Sequence, residues 1–246
     1  MGNFINSLKY FPIWLFFLLL SSCNDDVDGK SNVDQMSRID SETLTRLAEE
    51  KQRIGAFEEG IGELNKALEI EPKYVLAHYR MGAIYAEWNK KDEAVKAFQA
   101  ALDIDPDHVD SRLGLGSVYS KMVKNDLAVT EYEKVARLTP KNKEIYFKIA
   151  LEYWYLQKLP ETVQNYLHVI KLDPEHLQSH LNLASVYERM RDWPKTLQEI
   201  EKSLVIAKKI DDEYSISIAE GKLKFVKGRM NMTEKDLVRK TQPPFD

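Results

Sequence analysis

The chain is 246 residues long, carries 35 Lys and Arg against 39 Asp and Glu for a net charge of −4, and has a single cysteine. So balanced a charge does not favour general nucleic-acid binding, which needs a basic stripe to neutralise phosphates. One cysteine excludes an internal disulfide framework.

Taken from the start, Lys9 is followed by an apolar run, Tyr10–Leu20, interrupted only by Pro12. At about eleven residues the run is well short of the roughly 20 a spanning helix needs, so residues 1–22 read as a processing segment. Leu20-Ser21-Ser22-Cys23 follows, an aliphatic residue, two small residues and the cysteine. This resembles the lipobox of bacterial lipoproteins. The resemblance implies cleavage before Cys23, acylation of its thiol with palmitate-type chains, and a membrane anchor in the bacterial cell envelope. It also implies the outer membrane over the inner one, because Asn24 stands where an aspartate favours inner-membrane retention. Two or three acyl chains hold a protein durably, at about 0.8 kcal/mol per buried methylene. A myristoylation reading of Met1-Gly2 fails, since Asn6 occupies the site where Ser or Thr is wanted. Cleavage removes Lys9 and no acid, so 35−1 = 34 basic against 39 acidic residues leaves net −5.

Residues 23–40 read as the lipidated cysteine and a flexible acidic tether. Asn24–Asp40 contains five Asp against Lys30 and Arg38 and almost nothing apolar, too little to bury for folding. As a coil it would span roughly 20–25 Å. Asn24-Asp25-Asp26-Val27-Asp28-Gly29 partly imitates a calcium loop, but Gln35 stands where the closing glutamate belongs. The tether is the better reading.

Beyond Asp40 the governing signal is a period. Pro72, Pro106, Pro140 and Pro174 are spaced by 106−72 = 140−106 = 174−140 = 34 residues. Frames set on these prolines are 41–74, 75–108, 109–142, 143–176 and 177–208. Met81, Gly82 and Tyr85 recur as Leu115, Gly116 and Tyr119, as Ile149, Ala150 and Tyr153, and as Leu183, Ala184 and Tyr187. That spacing puts a small residue on a helical face where a neighbouring helix comes close. The second half of each frame carries Leu64, Phe98, Tyr132, Tyr166 and Ile200 in register. Gly55 is placed to turn the chain between helices, and Pro160 and Pro194 to open second helices. Lys208 replaces the fifth proline, so that helix is predicted to run on to about Lys209. Glu213–Arg229 reads as a capping helix, Thr233–Asp236 as a capping box for one more short helix, and 209–246 as cap and tail.

The pattern over roughly residues 41–208 resembles the tetratricopeptide repeat. The fold expected is all-α: a right-handed α-solenoid of about five helix pairs plus a C-terminal capping helix. A stack of this kind has no built-in chemistry. His176 and His180 are spaced to face one metal, but no further ligand sits beside them. With His78 in the frame position of His180, that pair reads as a substitute for an aromatic. His108 and His168 have no accompanying nucleophile or paired acid. The chain is expected to be no enzyme and to use no cofactor or metal.

The resemblance further implies that the first helices line a concave face that binds an extended peptide or a partner's helix. The residues placed there are Tyr79, Leu113, Phe147 and Leu181 as an apolar floor, with Arg80, Lys148 and Asn182 adjoining. Leu151, Trp154 and Tyr155 extend the stripe on the fourth unit. Packing between repeats competes with partner binding, evenly for Trp154 and Tyr155, and is favoured for Leu113 and Leu181. The two-carboxylate clamp of some family members is absent, because Thr45, Glu49, Tyr79, Ala83, Leu113 and Ser117 hold the corresponding sites. The reading that results is a lipid-anchored scaffold that binds a protein or peptide in its groove and assists envelope assembly. It has no small-molecule substrate. A rival is an adaptor that docks envelope enzymes, such as peptidoglycan hydrolases or proteases, on its convex side or edges.

Overall fold

The computed structural model describes residues 28–231. Among them are eleven helices and no strand: α1 (Asp28–Arg53), α2 (Phe57–Ile70), α3 (Val75–Glu87), α4 (Lys91–Ile104), α5 (Val109–Lys121), α6 (Asn125–Leu138), α7 (Lys143–Tyr155), α8 (Leu159–Leu172), α9 (Leu177–Arg189), α10 (Trp193–Lys209) and α11 (Glu213–Met230). The segment ending at Cys23, residues Asn24–Val27 and the Thr233–Asp236 box lie outside the described residues.

Every first helix from α3 to α9 begins on the first residue of its 34-residue frame, and every second helix begins 16 residues later, since 91−75 = 125−109 = 16. Helices pack as consecutive pairs, each pair on the next, and α11 closes the stack against α10. The core is accordingly a series of local clusters. Leu64 and Ile84 join the first two units, Phe98 and Leu115 the next, then Tyr132 and Ile149, then Tyr166 and Leu183. Ala219 and Val226 of α11 bury against Leu181 and Ile200 and close the last apolar face.

The turns repeat as strictly as the helices. Gly55, Asn89, Val123, Gln157 and Arg191 all have left-handed backbones, with φ of 75°, 61°, 59°, 59° and 60°. At each, the following N–H reaches back five residues to a carbonyl, as Ala56 to Lys51 and Lys124 to Tyr119 do at 2.9 Å. That is the Schellman closure of a helix C-terminus. Only Gly55 was legible as a turn. Val123 is β-branched and 80% exposed, in a conformation that costs an L-residue roughly 1–2 kcal/mol.

Side chains close several N-termini. His108, Asn142, His176, Asp192 and Asp212 each accept a backbone N–H from the first turn that follows. α10 runs through Lys208, where no proline stops it. One expectation is corrected. The stretch read as a flexible tether is helical from Asp28, as the start of α1. Extending a helix already nucleated adds one hydrogen bond per residue fixed, so a polar sequence can follow a packed one into helix.

Candidate functional site

The first helices form one row, tied helix to helix by side chains. Arg80 of α3 pairs with Glu49 of α1 at 2.5 Å, and Gln52 of α1 reaches Glu87 at 2.5 Å. Ser120 of α5 hydrogen-bonds Glu152 of α7. The Arg189 guanidinium of α9 lies over Trp154 of α7 at 5.3 Å, and Lys222 of α11 pairs with Glu188 of α9 at 2.9 Å.

This row separates the ten residues placed on the groove. Leu181 is buried in the α9–α11 core, and Leu113 packs against the cluster around Ile149. Phe147 meets Tyr166 edge-on at 5.6 Å, and with Leu151 and Trp154 it packs on Ala150 and Leu183. Tyr79 is half-buried beside Phe98 and His108, and burial pushes its phenol up. Two of the three polar neighbours have internal partners. Arg80 is held by Glu49 and sits 5.3 Å over the Tyr79 ring, and Asn182 donates to the Tyr166 hydroxyl at 3.0 Å. Lys148 is exposed, and Tyr155 is 62% exposed. The surface offered outward is therefore carried by α7, by Lys148, one side of Trp154, and Tyr155.

The histidines do structural work. His176 caps α9 and lies 5.3 Å from the Phe147 ring. No group of three or more His, Cys, Asp or Glu that could hold a metal occurs among the described residues. His78 and His180 are more than aromatic substitutes. His78 Nε2 meets the Pro72 carbonyl at 3.1 Å. His180 Nε2 meets the Pro174 carbonyl at 3.0 Å, and its Nδ1 meets Glu199 Oε2 at 2.6 Å. The same arrangement stands 68 residues earlier, where Arg112 bonds Glu131 at 2.8 Å and the Pro106 carbonyl. Lys134 and Lys202 complete the two sets, bonding Glu131 and Glu199 at 2.7 and 2.8 Å.

Glu152 breaks the repeat, since Ile84, Val118 and Val186 hold the same frame position. It is 4% exposed, and its Oε2 is buried without a hydrogen-bond partner. Burial raises its carboxyl, against the Ser120 hydrogen bond and the Lys148 charge. Beneath it, burial and then the Glu152 charge push the Tyr132 phenol up to about 12. Glu152→Val is expected to stabilise the chain by about 2 kcal/mol, the order of a buried unsatisfied group. The urea midpoint measures it, and a lowered midpoint would mean that Glu152 contributes net stability where it stands.

Models of the tetratricopeptide repeat match residues 75–108, 109–142 and 143–176. No curated protein matches the sequence. Among solved structures the chain is similar to a MamA fragment from Desulfovibrio magneticus RS-1, at TM-score 0.64 and 22% identity over 70% of this chain and 98% of that one. It is similar to a second MamA structure at TM-score 0.65 and 17% identity, over 71% and 95% of the two chains. YrrB, described as a tetratricopeptide-repeat protein with an unusual peptide-binding site, gives TM-score 0.64 and 21% identity over 78% and 98%. With its own helices paired and stacked at the same interval, the chain is an α-solenoid built on tetratricopeptide repeats.

Proposed function

We propose that this protein is a lipid-anchored, non-enzymatic scaffold that binds a protein or peptide segment along its first-helix face and assists assembly of an envelope complex. The observation that carries the reading is Tyr155, 62% exposed on α7 next to Trp154 and seven residues, two turns, from exposed Lys148. A large ring with a polar edge held in water by a rigid helix is what binding anchors use. The description of YrrB as peptide-binding supports a peptide partner.

The anchor rests on the lipobox-like Leu20–Cys23. Asp28, where α1 starts, lies 28−23 = 5 residues beyond that cysteine. The 26-residue α1 is about 39 Å long at 1.5 Å per residue. Lipidated at Cys23, the chain would be held off the membrane by a stiff helix with a short link. No helix of the described residues is long and apolar enough to cross a membrane. The mass of the mature N-terminal peptide tests the anchor. A diacylglyceryl cysteine at position 23 is expected, and an unmodified Cys23 within a longer peptide would remove it.

Tyr155→Ala is expected to weaken partner capture from membranes at least tenfold with helical content unchanged, since the ring contributes little to the core. The measurement is crosslinking from the first-helix face, with circular dichroism alongside. Unchanged capture would favour the adaptor reading, which has its own feature: an open cleft of about 440 Å³ between α6 and α8, lined by Arg137, Tyr146 and Tyr153.

A further inference from the structure

The chemistry of the partner can be taken one step further, resting on the reading of the first-helix face as the binding face. Lys121, Tyr155 and Arg189 share one frame position, 155−121 = 189−155 = 34, and stand at the C-terminal ends of α5, α7 and α9. All three are exposed. Neither Lys121 nor Arg189 makes an ion pair among the described residues, and Arg189 is spread over the Trp154 ring at 5.3 Å. The row turns acidic one repeat earlier, where exposed Glu87 holds the same frame position on α3 and meets the neutral Gln52 amide. From α5 to α9 the nearby acids of the first helices are committed or distant. Glu152 is buried beneath the row, and Glu188 is paired with Lys222 at 2.9 Å. Asp110 and Glu144 lie in the first turns of α5 and α7, at the opposite end of each helix. From Glu144 to Tyr155 is 155−144 = 11 residues, about 16 Å along the axis. On a chain of net charge −4, the α5–α9 stretch of this rim is locally cationic and aromatic.

We infer that this row binds an extended acidic peptide that sets an apolar or aromatic side chain on Trp154 and Tyr155 and one carboxylate on each of Lys121 and Arg189. The spacing follows from the fold. Packed helices lie about 8–10 Å apart, so two steps from α5 to α9 cover roughly 16–20 Å. An extended chain advances about 3.3 Å per residue, which places the two acids some five or six residues apart with the anchor midway. Exposed lysine and arginine select for charge and speed association more than they add bulk affinity, so binding should weaken steeply with salt.

The test uses the full chain in detergent and a displayed library of random 12-residue peptides. Peptides carrying two Asp or Glu five or six positions apart around an aromatic or aliphatic residue are expected. Selected peptides are then synthesised and titrated by fluorescence anisotropy. Lys121→Glu and Arg189→Glu should each weaken binding at least tenfold, and the double variant should prefer the same peptides with Lys in place of the acids. Two outcomes separate the two levels of inference. Neutral or basic peptides whose binding is lost in Tyr155→Ala would overturn the acidic partner and leave the binding face standing. Binding unmoved by Tyr155→Ala, or no peptide selected at micromolar concentration, would overturn both.

Discussion

Phe98→Ala is expected to lower the stability of the chain by about 4 kcal/mol, within the range for emptying a buried phenylalanine site. Phe98 is 2% exposed and belongs to two repeats at once. A Cβ on Gly82 of its own unit would lie 2.6 Å from the ring, and one on Gly114 of the next unit would lie closer still. Real Cβ atoms do not come so close, so the ring occupies the space that both glycines leave open. Gly114 is the telling one, since Arg80, Lys148 and Asn182 carry side chains at its frame position. Gly114→Ala alone should cost about 2 kcal/mol by overpacking, even though alanine is the better helix former. Combined with Phe98→Leu it should cost less than the sum, because the two sites share one volume. Chemical denaturation of the four chains measures the coupling. Simple additivity would show that Phe98 does not bridge the units.

His180→Ala is expected to cost about 3 kcal/mol, and His180→Arg much less. The His180 and Glu199 side chains are 2% and 5% exposed, and removing one partner strands the other charge in the core. Lys202 still holds the other oxygen of Glu199, which keeps the loss near the lower end. The imidazole faces a carboxylate oxygen at one nitrogen and a carbonyl at the other. Arg112 meets the equivalent pair of acceptors with a permanent cation, which is why arginine should serve at position 180. Burial pushes the Glu199 carboxyl up, yet the hydrogen bonds from His180 and Lys202 hold it below the ordinary value of 4.5. A depressed carboxyl contributes stability that is present above its unfolded pKa and lost as pH falls through the folded one. Glu199→Gln should therefore flatten the acid side of the stability–pH curve. Equal losses in the alanine and arginine variants would show that bridging Glu199 and the Pro174 carbonyl is not what position 180 contributes.

The repeat was legible because its determinants are local. Pro72 to Pro174 stop helices within their own units, and Gly82, Gly116, Ala150 and Ala184 mark where the paired helix comes close. Each such signal is one residue acting on a neighbouring turn or helix. The candidate site was less legible because its residues act across units. Arg80 and Asn182 are polar and well placed, but their partners, Glu49 and the Tyr166 hydroxyl, are 31 and 16 residues away (80−49 and 182−166) on other helices. Glu152 carried a readable signal, a carboxylate where other units place Ile84, Val118 and Val186. The left-handed turns at Val123, Gln157 and Arg191 carried none, since neither a β-branched nor a long side chain announces positive φ.

The sequence by itself determined the helix pairs, their interval, their number and the closing helix, since contacts in a solenoid join segments adjacent in the chain. Only the tertiary structure decided which groove side chains are spent inside the protein and which remain for a partner. It turned Leu181 and Asn182 inward, left Lys148 and Tyr155 in water, and drew α1 back to Asp28. The physical reason is that burial and pairing depend on the register of one helix against the next. A side chain's type fixes what it can bond, and that register fixes what it meets.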